Sequence, residues 1–93
     1  MTADTTAIDS ALFTLCRVER RIPSYTVYHM GVYNDPRVIV TVPAAYVDGD
    51  PNAGWDDTTK ALYAEVTAIF AGWRVVDNGI NDDGTGEYFI FAC

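Results

Sequence analysis

Two sequence periods, one helical and one strand-like, alternate twice along this chain, and that alternation limits the folds open to it. Ile8, Leu12, Leu15, Cys16 and Ile22 recur at helical spacing and make one apolar stripe. Thr6 suits an N-cap, with Asp9 three residues on to complement the helix start. Pro23 cannot donate a backbone N–H and disfavours helical geometry at Ile22, so the first helix is predicted over residues 6–22. Residues 25–33 and 37–42 are rich in β-branched and aromatic side chains, and Asn34, Asp35 and Pro36 between them are turn formers. That pattern predicts a hairpin over residues 25–43.

The second round repeats the order. Asp56, Asp57 or Thr58 can cap a helix over residues 57–72. Its stripe is Leu62, Val66, Ile69, Phe70 and Trp73, with Tyr63 at the margin and Gly72 as the stop. A hairpin over residues 73–92 then turns around Asn81 to Gly86. The expected architecture is α+β in the order αββαββ. It is a single domain over residues 1–93, with a four-stranded antiparallel sheet and both helices on one face in a second layer. The two halves share no visible identity, so the repetition is architectural.

Ninety-three residues support one modest core, and the 49% hydrophobic content supplies it without approaching the run of about 20 apolar residues that a bilayer crossing needs. The first residues are acidic where a secretory leader would be basic, and Cys16 and Cys93 make no disulfide framework. Both observations predict a cytoplasmic protein.

Charge is distributed unevenly. Of 13 acidic residues, eight lie in or beside two glycine-rich loops: Asp48, Asp50, Asp56 and Asp57 in a loop over residues 48–57, then Asp77, Asp82, Asp83 and Glu87. Neither loop contains Lys or Arg, and the net charge is −7. Acid gathered in this way repels nucleic acid and attracts basic protein surfaces, although acidic loops also serve solubility alone.

Strand alternation predicts which side chains face out. Trp73, Val75, Phe89 and Phe91 are expected to face the core, with Arg74, Val76, Tyr88 and Ile90 outward. In the first hairpin Thr26, Tyr28, Met30 and Val32 are assigned inward, leaving Tyr25, Val27, His29 and Tyr33 outside with Ile39. The outer face would then be apolar and aromatic, a surface suited to self-association or to a partner. On the first helix, Phe13 falls among polar positions near Arg17 and Arg20, whereas Glu19 falls on the apolar stripe and is expected at its rim or paired with an arginine.

Signals for chemistry are sparse. His29 is the lone histidine, and a nucleophilic pair with Cys16 would require a core thiol to reach a strand. A small-ligand pocket built from His29, Tyr25 and Tyr28 is a further alternative. No serine elbow, phosphate loop or dinucleotide glycine pattern occurs. Asp48, Asp50 and Asn52 alternate as calcium ligands do, but Ala53 stands where the turn glycine belongs and Thr59 where a bidentate Glu would close the site. Zinc lacks a Cys/His cluster. The reading is therefore no enzyme, no cofactor and no metal.

In size, acidity and absence of catalytic motifs the chain resembles the small phage and mobile-element inhibitors known as anti-CRISPR proteins. The likeness is one of general character and covers no particular motif. It implies a viral, non-catalytic protein-binding inhibitor or adaptor acting in the host cytoplasm. Its partner would be a basic surface such as a CRISPR effector or another nucleic-acid-binding protein, with no direct nucleic-acid or membrane contact. The expected contact residues are the eight loop acids together with Tyr25, Tyr33 and Tyr88. The alternative is a homo-oligomeric accessory protein, such as a homodimer, assembled through the apolar sheet face. Ala61, Ala64, Ala68 and Ala71 would give it a small-residue helix side, a pattern that helix propensity alone also explains.

Overall fold

The second helix, α2, spans Asp57–Ile69 and begins where its capping chemistry places it. The Asp56 carboxylate accepts the Thr59 N–H at 2.8 Å. The helix ends short of the expected residue 72, because Phe70 leaves helical geometry at φ −99°, ψ 38°, and the turn that follows passes through Gly72 at φ +85°, a conformation glycine adopts freely. We describe residues 5–31, 35–81 and 86–93 from a computed structural model. The first helix, α1, covers Thr6–Phe13 and continues as a π-helical turn, Thr14–Val18. Thr5, rather than Thr6, occupies the N-cap position, and its carbonyl accepts the Asp9 N–H at 2.8 Å.

The first helical segment ends at Val18, short of the expected residue 22. The reason is local. Glu19 donates its N–H to the Thr14 carbonyl at 2.8 Å, and Arg20 adopts φ +56°, which turns the backbone out of the helix before Pro23 is reached. Ile22 is nevertheless buried, carried into the core by the turn and not by helical periodicity.

Four strands follow: β1 (Ser24–Met30), β2 (Asp35–Val42), β3 (Arg74–Ile80) and β4 (Glu87–Ala92). They form one antiparallel sheet in the order β1-β2-β4-β3, so the two hairpins meet through β2 and β4. The protein is thus α+β, with two helices and a four-stranded antiparallel sheet. Between β2 and α2 lie two short 3₁₀ turns, Val47–Gly49 and Pro51–Ala53.

Val38, Val40 and Val42 of β2 and Phe89 and Phe91 of β4 are buried, and they join Ile8, Leu12, Leu15, Leu62, Val66 and Phe70 in one core cluster. Phe70 stacks flat on Phe91 at 3.9 Å between ring centroids, and Trp73 meets Phe70 edge-on at 5.6 Å.

Register corrects the expected facing of β1. Tyr25 is opposite Val40 and Val27 opposite Val38, so both belong to the Val38 face and pack against the core. Thr26 and Tyr28 lie opposite Ile39 and Arg37, on the other face. The strand is offset by one residue from the expected facing, and because side chains alternate, every member takes the opposite side. Met30 accordingly is 49% exposed, not inward. A second departure is the β-bulge between Val75 and Asp77, which leaves Val76 with no opposite number on β4. Val75, expected to face the core, lies opposite the buried Phe91 yet is 41% exposed, on a strand at the edge of the sheet. Val32, Tyr33 and Asn34 of the first turn, and Asp82, Asp83, Gly84 and Thr85 of the second, lie outside the described residues.

Candidate functional site

Both acidic segments leave the same end of the sheet. Val42, the last residue of β2, is opposite Glu87, the first of β4, and Glu87 is also opposite Ile80, the last of β3. The connection over residues 43–56 therefore starts beside the β3–β4 connection. It is fastened there by side chains from distant parts of the chain. The Glu87 carboxylate accepts from the Tyr46 hydroxyl at 2.9 Å and from the Trp55 indole N–H at 3.0 Å. Tyr46 and Trp55 form an isolated β-bridge, and the Val47 N–H donates to the Gly54 carbonyl at 3.0 Å. Trp55 completes the anchor with edge contacts to Tyr63 at 5.3 Å and Phe89 at 5.8 Å.

The base of the segment is closed as well. The Ala45 N–H donates to Thr59 Oγ1 at 3.0 Å, and the Asp56 N–H to the Ala45 carbonyl at 2.8 Å. Thr59 is buried as a consequence, a polar side chain satisfied by backbone on both sides. At the tip the Asp50 carboxylate accepts the Asn52 N–H at 3.0 Å, and Asp48 takes φ +54°, a conformation Asp tolerates better than most residues. Gly86 stands where the β3–β4 connection passes β2; a Cβ there would come within 2.3 Å of the Val42 carbonyl oxygen, so only glycine fits.

The acids named from sequence thus divide by role. Asp48, Asp50 and Asp57 are exposed, and the two ion pairs among the described residues lie elsewhere, between Arg21 and Glu19 and between Arg21 and Glu65. Asp56 caps α2, and Glu87 is the acceptor that holds the loop. Asp77 does not join this end. It lies mid-strand on β3 opposite Ile90, its carboxylate accepting the N–H of Asn78. Asp82 and Asp83 fall outside the described residues.

The aromatic positions separate too. Tyr25 is half-buried on the Val38 face, its hydroxyl 3.5 Å from the Asp9 carbonyl, and burial pushes its pKa up from 10.0. Tyr88 lies on the Ile39 face with its ring over Gly79, where an added Cβ would stand 2.8 Å from the phenol oxygen. Tyr33 lies outside the described residues. Tyr46, missed by sequence reasoning, has its pKa raised from 10.0, first by its hydrogen bond to Glu87, then by desolvation and by the neighbouring negative charge.

At the opposite end of the sheet, Ala92 is flanked on one face by Arg37 of β2 and Arg74 of β3. The far end therefore carries two guanidinium groups and, on Asp35 opposite Met30, a carboxylate. His29 and Tyr25 share a face, whereas Tyr28 is on the other, so these three side chains do not converge. The Cys16 thiol is buried and lies 3.8 Å from the Pro23 carbonyl. Among the described residues no group of three or more His, Cys, Asp or Glu side chains is arranged to hold a metal ion, and no helix is long and apolar enough to cross a membrane.

Between the helical segments a shallow groove of about 390 Å³ is lined by Ala11, Leu15, Ala68 and Ile69. Glu19 and Glu65 stand at its rim, and Arg21 bonds to both, in a fork with Glu65 that lowers the carboxyl pKa. Compared with protein-family models, with curated proteins and with solved structures, the chain has no significant match to any.

Proposed function

We propose that this protein is a non-catalytic docking protein, an inhibitor or adaptor that presents its acidic end to a basic, nucleic-acid-binding partner in the cytoplasm of a host cell. The observation that carries this reading is the state of Asp48, Asp50 and Asp57. They are exposed and have no cationic partner among the described residues; Asp48 and Asp50 sit on a loop held by Glu87, Tyr46, Trp55 and Thr59, and Asp57 opens α2 where that loop ends. A tethered loop loses little conformational freedom on binding, and concentrated charge raises the encounter rate with a surface of opposite sign.

In this reading both helices cover the Val38 face as a single layer. The Ile39 face, with Tyr28, Ile39, Tyr88 and Ile90, is left as an apolar flank beside the acidic end. An effector of the CRISPR class would be one such partner, since its nucleic-acid channel is basic.

Replacing Asp48, Asp50 and Asp57 together by Asn tests the proposal without touching the Asp56 cap or the Glu87 anchor. Proteins captured from host lysate at low salt by the parent should be retained weakly or not at all by the variant. Association with a captured partner should slow about tenfold at low ionic strength and lose most of its salt dependence. Equal on-rates, or capture that survives high salt unchanged, would count against electrostatic docking.

A further inference from the structure

The two free edges of the sheet are built differently. β3 is interrupted by the bulge at Val76 and carries Arg74, Asp77 and Gly79. Charges, bulges and glycine are the devices that keep an edge strand from pairing. β1 has none of them. It is a regular strand of seven residues, Ser24–Met30, with no Asp, Glu, Lys, Arg, Gly or Pro in it. Its inner side is hydrogen-bonded to β2, and its backbone makes no hydrogen bond to any loop or side chain among the described residues.

We propose that this edge pairs with β1 of a second copy of the chain, antiparallel about a two-fold axis at Val27, to give a continuous eight-stranded sheet. The proposal is independent of what the acidic end binds. Three observations select a second copy as the occupant. In the register centred on Val27 all seven residues find a partner: Ser24 faces Met30 of the other copy, Tyr25 faces His29, Thr26 faces Tyr28, and Val27 faces itself. Each pair is on a common face, because residues 24, 26, 28 and 30 lie with Ile39 and residues 25, 27 and 29 with Val38. The pairs are aromatic, hydroxyl-bearing and β-branched, the kinds that stabilise neighbouring strands, with no like charges opposed.

The third observation is charge at the scale of the molecule. Ser24 lies at the acidic end of the sheet and Met30 at the opposite end, which bears Arg37 and Arg74 together with Asp35. An antiparallel pair keeps the acidic ends of the two copies apart, each beside the mixed-charge end of the other. A parallel arrangement would bring the two acidic ends together. With net charge −7 on each copy, the uncharged edge and this head-to-tail placement are what allow close approach.

Sedimentation velocity and native mass spectrometry over a range of concentrations test the pairing. A short edge contact of this kind should give a dimer with a dissociation constant of about 10–100 μM. Ser24 and Met30 are exposed, so substitutions there leave the core intact. Ser24→Lys with Met30→Lys opposes like charges twice across the axis and should weaken the dimer at least tenfold. Ser24→Lys with Met30→Glu opposes unlike charges and should restore or exceed parental affinity. Amide exchange in β1 should slow in the parent between about 5 and 500 μM, a readout that does not depend on any variant folding. A parent that stays monomeric at about 1 mM overturns the proposal. So does a dimer indifferent to both charge patterns, or exchange in β1 that does not vary with concentration.

Discussion

Glu87 is the residue whose loss should reveal most about how the acidic end is held. In Glu87→Ala, Tyr46 and Trp55 both lose their acceptor. Hydrogen bonds to an ionised group contribute about 1.5–3 kcal/mol each, and the lower end applies because the site is half-exposed and water can replace part of what is lost. Two bonds then sum to about 2–3 kcal/mol. With an unfolding entropy of about 2.1 cal/mol/K per residue, a 93-residue domain should lose roughly 10–15 °C in Tm. Glu87→Gln keeps an acceptor oxygen without its charge. As a neutral bond is about half as strong, the loss should fall to about 1 kcal/mol or roughly 5 °C. Scanning calorimetry measures both. Trp55 emission in a Trp73→Phe background should shift to the red in Glu87→Ala before global unfolding, as the indole leaves Phe89 and Tyr63. If Ala and Gln were equally harmful, or Ala cost less than about 3 °C, Glu87 would not be the anchor described.

Three other outcomes are expected. Gly86→Ala forces a methyl group against the Val42 carbonyl and should cost about 1–3 kcal/mol in urea unfolding, whereas Gly79→Ala meets only the end of the Tyr88 ring, which can swing aside, and should cost less. Arg20→Gly removes a left-handed non-glycine residue and should stabilise by about 0.5–1 kcal/mol after glycine's own entropy is deducted, visible as a higher urea midpoint with unchanged m-value. Tyr25, Tyr46 and Tyr63 all have folded pKa values above 10.0, so the stability linked to their protonated forms is complete below pH 10 and lost as pH rises through the raised values; Tm should be flat to about pH 10 and fall beyond it, less steeply in Tyr46→Phe.

Where the sequence was legible, a local pattern decided the structure. The Asp56 cap and the stripe residues Leu62, Val66 and Ile69 act within a few residues of one another and are found in α2, whereas Phe70, Gly72 and Trp73 fall in the turn beyond its end. The facing of β1 was not legible because Tyr25, Val27 and Tyr28 make both of its faces partly apolar; only pairing with Val38 and Val40 distinguishes them. The early end of the first helix escaped for a similar reason. Arg20 has no compositional mark of a left-handed residue, and Pro23 offered a plausible later stop. Glu87 read as one acid among eight, since its partners Trp55 and Tyr46 lie 32 and 41 residues away and no local pattern announces a tertiary hydrogen bond. Asp77 is near the loop acids in sequence, whereas the bulged strand holds it opposite Ile90, away from them.

The bridge between Tyr46 and Trp55 has a consequence for how this protein can change. Its two ends are locked together and to the sheet, so the residues between them form a closed circuit outside the core, with no buried side chain in either 3₁₀ turn. Lengthening a flexible segment costs only about 0.6 kcal/mol per doubling once its ends are fixed. Residues 47–54 therefore make an exchangeable cassette: their sequence and length can be rewritten, by mutation or by grafting, while the scaffold beneath stays as it is.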